Sequence, residues 1–223
     1  MARWHGSIPT GTYARVGRPL FDLGLILCCI PVAIPLCIVI GFINTLVFRN
    51  PSLVLFRQER VGRFGQTFWI YKFRTMVEAK ADNFDAWSSG EDQLRVTRFG
   101  RFLRNTHLDE LPQFLNVLRG EMSFIGPRPE MREIEDWANE HIPNFSRRLS
   151  IKPGITGLAQ ITQGYTARSV EAYEQKLFAN DDYREQYSLL QDVSILLRTA
   201  VWMVRGRGWR SSEPPQDQQK AAA

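Results

Sequence analysis

A chain of 223 residues and 25.7 kDa is long enough for one domain with an appendage. Hydrophobic residues make up 44% and charged residues 23%, a globular balance that excludes a largely disordered chain. The three cysteines, Cys28, Cys29 and Cys37, share one apolar stretch and form no C-x-x-C pair, which excludes a disulfide scaffold and a cysteine-rich zinc module. The net charge of +5 is unevenly placed: residues 1–80 hold 10 Lys+Arg against 3 Asp+Glu, the remainder 18 against 20. The basic excess surrounds the most apolar segment and points to an anionic membrane surface before nucleic acid.

Residues 1–19 carry Gly, Pro and Arg without periodicity and read as a mobile basic arm. Residues 23–43 follow, 21 residues without a charge. About 20 apolar residues suffice for a helix to cross a bilayer core. A cleaved signal fits poorly, because the run starts late and lacks a small-x-small site just after it. Pro31 and Pro35 each remove a backbone donor, so a break is expected there. Basic flanks stand on both sides, Arg3, Arg15 and Arg18 before, then Arg49, Arg57, Arg60 and Arg63 after. A re-entrant helix that breaks at the prolines and returns to the same face satisfies both features. A single-pass helix with a proline kink is the alternative.

Asn50-Pro51-Ser52 reads as a turn, residues 53–56 and 66–73 as strands, and Arg63-Phe64-Gly65-Gln66 as the hairpin-like turn between them. Residues 80–93 read as a polar loop. Leu111, Phe114, Leu115 and Leu118 follow i, i+3, i+4, i+7 spacing, so a helix is expected to run to Gly120. Pro112 must lie in its first turn, which puts Asp109 and Glu110 at the helix start. Residues 131–140 read as an acidic helix, 152–157 as a glycine-punctuated loop, and 169–178 and 189–204 as helices. The last carries Val193, Leu196, Leu197, Ala200, Val201 and Val204 on an apolar face, with Arg198, Trp202 and Arg205 as interfacial anchors. A core helix has the same periodicity. Residues 211–223 read as a polar tail.

Asp109-Glu110 is the sharpest chemical feature. Adjacent carboxylates at a helix start meet free amide donors, and together they can hold magnesium, an ion that keeps substrate phosphates company. Taken alone, the pair is more often a cap and a dipole partner. Its company is basic: Lys72 and Arg74 end a strand, Arg95, Arg98, Arg101 and Arg104 form an i, i+3 row, Gly126-Pro127-Arg128-Pro129 presents one guanidinium, and Lys152 opens a loop. Carboxylates, magnesium and several Arg/Lys are the parts for phosphoryl transfer. No G-x-x-x-x-G-K-[ST] occurs, so a P-loop enzyme is excluded. His5, His107 and His141 are too scattered for a metal site or a triad. A lipid-binding scaffold accounts for the charge split but not for Asp109-Glu110. A nucleic-acid binder using the arginine row needs no apolar run.

Phe56-Arg57-Gln58-Glu59-Arg60-Val61-Gly62, Tyr71-Lys72-Phe73-Arg74-Thr75-Met76, Leu108-Asp109-Glu110-Leu111-Pro112-Gln113, Ser123-Phe124-Ile125-Gly126-Pro127-Arg128-Pro129 and Lys152-Pro153-Gly154-Ile155-Thr156-Gly157 occur in that order. Across residues 19–207 the chain resembles the bacterial sugar transferase family, the monotopic phosphoglycosyl transferases. The resemblance implies an α/β (α+β) fold: a small helix-rich catalytic domain with a short β-hairpin, anchored by an N-terminal re-entrant membrane helix and interfacial amphipathic helices. Four segments follow: an arm over 1–19, the membrane helix over 20–48, the catalytic domain over 49–207 and a tail over 208–223.

The implied reaction transfers a sugar phosphate from a UDP-sugar to a polyprenyl phosphate, releasing UMP, on the cytoplasmic face of the bacterial inner membrane. Asp109 matches the nucleophile that forms an aspartyl phosphosugar intermediate, and Glu110 its dyad partner associated with Mg2+. Lys72, Arg104 and Arg128 match functional basic positions, and Arg74, Lys152, Gln160 and Arg168 complete the candidate substrate- and phosphate-binding set. Pro35 matches the helix-breaking proline. Ile34 stands where the family usually has Ser, and Gln163-Gly164-Tyr165-Thr166-Ala167-Arg168 where it often has an Asn-Gly-Arg-like stretch. Nucleic acid is not an expected partner. Oligomeric state is left open, a homodimer included.

Overall fold

The chain is described from a computed structural model covering residues 8–78, 94–164, 166 and 168–204. The loop expected over 80–93, the tail over 211–223, His5, Arg3 and Arg205 lie outside the described residues.

One long helix dominates the N-terminal region. A π-helical turn, Tyr13–Gly17, runs into α1, Arg18–Phe48. The end of the expected mobile arm is thus ordered helix, and Arg18 is buried. The expected break at Pro31 and Pro35 is not an interruption either, because α1 continues through both prolines. Each proline frees one carbonyl four residues earlier, and the neighbouring hydrogen bonds carry the helix past the gap.

Arg18, Asp22, Ile26, Ala33, Ile40 and Asn44 are buried, and Ile30 and Cys37 are partly buried against the core. These positions recur at intervals of four and three residues, one stripe along the whole helix. The domain therefore holds α1 at both ends. Arg18 donates to Ser123 Oγ at 2.8 Å, and Asn44 Nδ2 donates to the Arg74 carbonyl at 3.0 Å. The opposite face exposes Leu27, Val32, Ile34, Ile38, Val39, Phe42 and Leu46.

After a short 3₁₀ turn capped by the Asn50 side chain, β1 (Leu55–Val61) and β2 (Thr67–Phe73) pair antiparallel, with Arg60 opposite Phe68 and Phe56 opposite Lys72. The strand expected over 53–56 begins two residues later and runs farther. The turn falls where the sequence puts it, with Phe64 left-handed at φ 57°. Helix α2 (Arg98–Thr106) is capped by Thr97 and crosses so close to β2's end that a Cβ on Gly100 would collide with the Thr75 carbonyl.

The helix expected over 111–120 is split into a 3₁₀ segment, Leu108–Gln113, and a short α3, Phe114–Leu118. Pro112 in the 3₁₀ segment accounts for the tighter first turns. Residues 152–157 are not all loop: β4 (Gly154–Thr156) pairs parallel with β3 (Ser123–Ile125). Helices α4 (Arg132–His141), α5 (Leu158–Gln163), α6 (Val170–Glu185) and α7 (Leu189–Val204) complete the chain.

The main core joins β2, β3, Ile26 of α1 and Ile195 of α7. Helix α7 resolves the ambiguity of its periodicity: Asp192 and Ile195 face inward, while Leu190, Val193, Leu197 and Val201 are exposed. Its apolar face points mostly away from the core, with Leu196 at its edge packed against it. Asp192 can be buried because Arg18, Tyr183 and Tyr13 all donate to it.

Candidate active site

Asp109 and Glu110 lie in the 3₁₀ segment, immediately after His107, whose left-handed backbone (φ 56°) ends α2. Two contacts fix this corner against β2. Asn116 is fully buried, and its side-chain amide donates to the Trp69 carbonyl (2.7 Å) and accepts from the Tyr71 N–H (3.3 Å). It thereby satisfies the free edge of β2, as an unpaired buried amide there would be costly. The period-2 alternation of β2 then carries Lys72 onto the face of Phe68 and Ile70, where its ammonium meets Glu110 Oε1 at 2.6 Å.

Arg128 reaches the same oxygen at 3.3 Å. Its loop is held from behind. Arg148 donates to the Arg128 carbonyl at 3.0 Å, and Arg148 is in turn ion-paired with Glu135. Gly154 N–H donates to the Pro127 carbonyl at 3.0 Å, and Gly126 sits so near the 152–154 backbone that no side chain fits there. Lys176 pairs with Glu130 at 2.6 Å just beyond Pro129.

The two carboxylates of the dyad live in opposed environments. Burial would raise Glu110, but Lys72 and then Arg128 outweigh it and hold the carboxyl far below the usual carboxylate range. Asp109 is 8% exposed, and burial pushes it up to about 6 against the pull of Lys72, with the charge of Glu110 adding to the rise. Among the described residues Asp109 accepts no hydrogen bond. A pair driven apart in this way has one permanently ionised member and one basic, unencumbered carboxylate, which suits a nucleophile or base beside an electrostatic partner. Asp109 and the second oxygen of Glu110 also fit the donor set of a magnesium ion, which takes one or two carboxylates and keeps its remaining positions for water and phosphate.

The candidate residues divide. Lys72, Arg128, Asp109 and Glu110 converge, and Arg104 stands at the rim, donating to Thr75 Oγ1 at 2.9 Å while lowering Asp109 electrostatically. The arginine row does not hold together. Arg98 and Arg101 are exposed and Arg95 caps the Val77 carbonyl, because a spacing of three on a 3.6-residue helix fans side chains around the axis. Arg74 offers its guanidinium to Glu78 at 3.5 Å. Lys152 is elsewhere, beside Asp22, Arg63 and Arg18. Gln160 bonds the Ile155 carbonyl at 3.3 Å, and Arg168 lies over the Trp137 ring.

Three neighbours escaped sequence reasoning. Arg60 shares the Lys72 face of the hairpin and donates to the Pro129 carbonyl at 3.4 Å, and burial lowers it to about 10. Thr75 orients Arg104. His107 packs on Trp202 near the end of α7, 5.6 Å between rings. Only the period-2 pattern placing Arg60 opposite Phe68 carried a usable signal. Leu108 and Leu111, on either side of the dyad, pack with Cys37 and Ile40 of α1, so the dyad sits directly on the apolar helix.

The family model described as bacterial sugar transferase matches residues 13–206. The chain is 37% identical, over 91% of its length and 47% of the relative's, to the UDP-N-acetylgalactosamine-undecaprenyl-phosphate N-acetylgalactosaminephosphotransferase of Aeromonas hydrophila. It is 44% identical, over 67% of its length and 56% of the relative's, to the UDP-glucose:undecaprenyl-phosphate glucose-1-phosphate transferase of Caulobacter vibrioides. It thus spans about half the length of these two relatives. It is 36% identical to the sugar transferase EpsL of Bacillus subtilis, covering 82% of this chain and 84% of that one. With Lys72, Asp109, Glu110 and Arg128 brought together from three of the motifs and the match running through nearly the whole described fold, the chain belongs to the bacterial sugar transferase family.

Proposed function

We propose that the chain transfers a sugar 1-phosphate from a UDP-sugar to undecaprenyl phosphate, the initiating step of a surface polysaccharide or glycoprotein glycan. The unpartnered Asp109 carboxylate beside a charge-clamped Glu110 carries this reading, and the names of the relatives supply its substrate class. Asp109 attacks the phosphorus that bears the sugar. The bond from that phosphorus to the bridging oxygen breaks, UMP leaves with the electron pair, and an aspartyl phosphosugar remains. An oxygen of undecaprenyl phosphate then attacks the same phosphorus, releasing undecaprenyl-diphosphate-sugar and regenerating the carboxylate. One small site can serve a soluble and a lipid substrate in turn only if the group is parked on the protein between them.

Arg128 and Lys72 offset the repulsion between Asp109 and the incoming diphosphate, and Arg128 has the planar fork that suits phosphate oxygens. Mg2+, held by Glu110 and Asp109, supplies further charge neutralisation at the diphosphate when bound. Both ends of α1 dock on one domain and its outer face is apolar, which supports a helix embedded in one leaflet of the inner membrane rather than spanning it, with the catalytic domain on the cytoplasmic face. The outward apolar face of α7 lies at the same membrane surface. A UMP-release assay across a panel of UDP-sugars with undecaprenyl phosphate tests the reading. Lipid-dependent turnover with one or more sugars is expected, and no UMP release from any of them contradicts it.

A further inference from the structure

Away from the dyad, a small open cleft of about 60 Å³ lies at the start of α1, lined among others by Pro9, Pro19, Asp22, Arg63 and Lys152. Its charges are not all spent. Arg18, at its wall, is consumed by Ser123, Tyr183, Asp192 and the Ile125 carbonyl. Asp22 is consumed as well, accepting from Ser123 Oγ (2.6 Å) and the Phe124 N–H (3.1 Å). Among the described residues Arg63 donates through its Nε, to the Ser150 carbonyl at 3.1 Å, and its plane covers the Phe64 ring. The Lys152 ammonium makes no hydrogen bond or ion pair among the described residues. The opening thus holds Arg63 and Lys152 against one carboxylate, Asp22, which lies beside Lys152 and is already engaged by Ser123 and Phe124, so positive charge is in excess there.

The surroundings identify the ligand's other end. From Pro19 the same face of α1 continues through Leu23 and Leu27, 45% and 60% exposed, at successive turns. A basic cleft opening onto an apolar lane matches an amphiphile with an anionic head.

We propose that the Arg63–Lys152 cleft binds the phosphate of an anionic glycerophospholipid, whose acyl chains run along Pro19, Leu23 and Leu27. The site shares no residue with the dyad. It anchors the amino end of α1 to the head-group layer, and it rests on the membrane placement proposed above.

The test labels Lys152 with an amine-acylating reagent, quantified by peptide mass spectrometry, on the full chain reconstituted in nanodiscs. Discs of phosphatidylcholine alone are compared with discs containing phosphatidylglycerol, and phosphatidylcholine discs are also given inorganic phosphate or UMP. Phosphatidylglycerol is expected to slow Lys152 acylation about tenfold, the scale of one charge-assisted hydrogen bond. The protection is expected to vanish in Arg63→Gln and persist in Arg49→Gln, which loses the same charge at an exposed site. Equal labelling in both kinds of disc overturns the proposal. Equal loss in the two variants assigns the effect to general surface charge and also overturns it. Protection by free phosphate or UMP but not by phosphatidylglycerol replaces the lipid with a soluble phosphate. A chain that does not co-purify with nanodiscs at all refutes the membrane placement itself, separately from lipid selectivity.

Discussion

Lys72 and Glu110 meet at 2.6 Å across the join between β2 and the 3₁₀ segment, and that ion pair makes the neighbouring Asp109 chemically different from it. Glu110 is satisfied and stays ionised, while Asp109, buried and accepting no hydrogen bond among the described residues, is the stronger base. Activity that needs the Asp109 carboxylate should therefore rise with pH through about 6 and level above it. In Glu110→Gln the negative charge that raises Asp109 is gone, so the acid limb of UMP release should move to lower pH. An unmoved limb would show that the two carboxylates are not coupled.

The same relationship has a thermodynamic consequence. The folded pKa of Asp109 lies above its ordinary value of 3.8, so the folded state holds that proton more tightly and stability attributable to this group falls as pH rises from about 4 to about 6. At pH 7 the ionised side chain is a burden. Asp109→Asn, which the proposed mechanism expects to be inactive, should stabilise the protein by about 1–3 kcal/mol at that pH, and by less at pH 4. Thermal melts of both proteins at the two pH values check this. A lower Tm for the variant at pH 7 would mean that Asp109 makes a structural bond.

Arg128 stands between Pro127 and Pro129, with its carbonyl held by Arg148, so little freedom would be lost in the phosphate contact proposed for it. Arg128→Lys should lower turnover by about tenfold or more, because an ammonium cannot form the planar two-donor contact. Steady-state kinetics decide, and near-normal turnover would reduce Arg128 to a surface charge.

The outward face of α7 predicts an inversion of the usual rule that leucines belong inside. Leu190→Glu with Leu197→Glu, at 81% and 63% exposure, should leave stability in detergent nearly unchanged while releasing the protein from membranes at high salt. Ile195→Ala, at the fully buried position on the other face, should cost about 2–5 kcal/mol. Membrane fractionation and thermal melts distinguish the two faces.

How much the sequence reveals varies by element. The hairpin, its turn, the acidic helix and the helix near 169–178 follow from local pattern, and the dyad is found because Pro112 limits where a helical segment can begin. The pattern on α7 locates an apolar stripe but not which side is inside. That depends on Arg18, 174 residues away, giving Asp192 a buried partner. Lys152 resembles the other cations in sequence, yet the pairing of β4, two residues on, with β3 carries it to the start of α1 and a different cleft. Arg60 gives no local signal of its closeness to Glu110, which exists only once the hairpin pairs it opposite Phe68. The i, i+3, i+4, i+7 spacing from Leu111 to Leu118 suggests one helix, but the segment is 3₁₀ up to Gln113 and α-helical only over Phe114–Leu118, a division that periodicity does not encode.

In the mechanism proposed, Asp109 carries the sugar phosphate between two substrates. The most direct measurement is mass spectrometry of the protein after incubation with a UDP-sugar that supports turnover, without lipid acceptor. The account predicts a phosphosugar adduct on the peptide containing Asp109, one UMP released per adduct, and neither in Asp109→Asn. UMP appearing only when undecaprenyl phosphate is present, with no adduct on Asp109, would mean that transfer is direct and that Asp109 acts as a metal ligand or base.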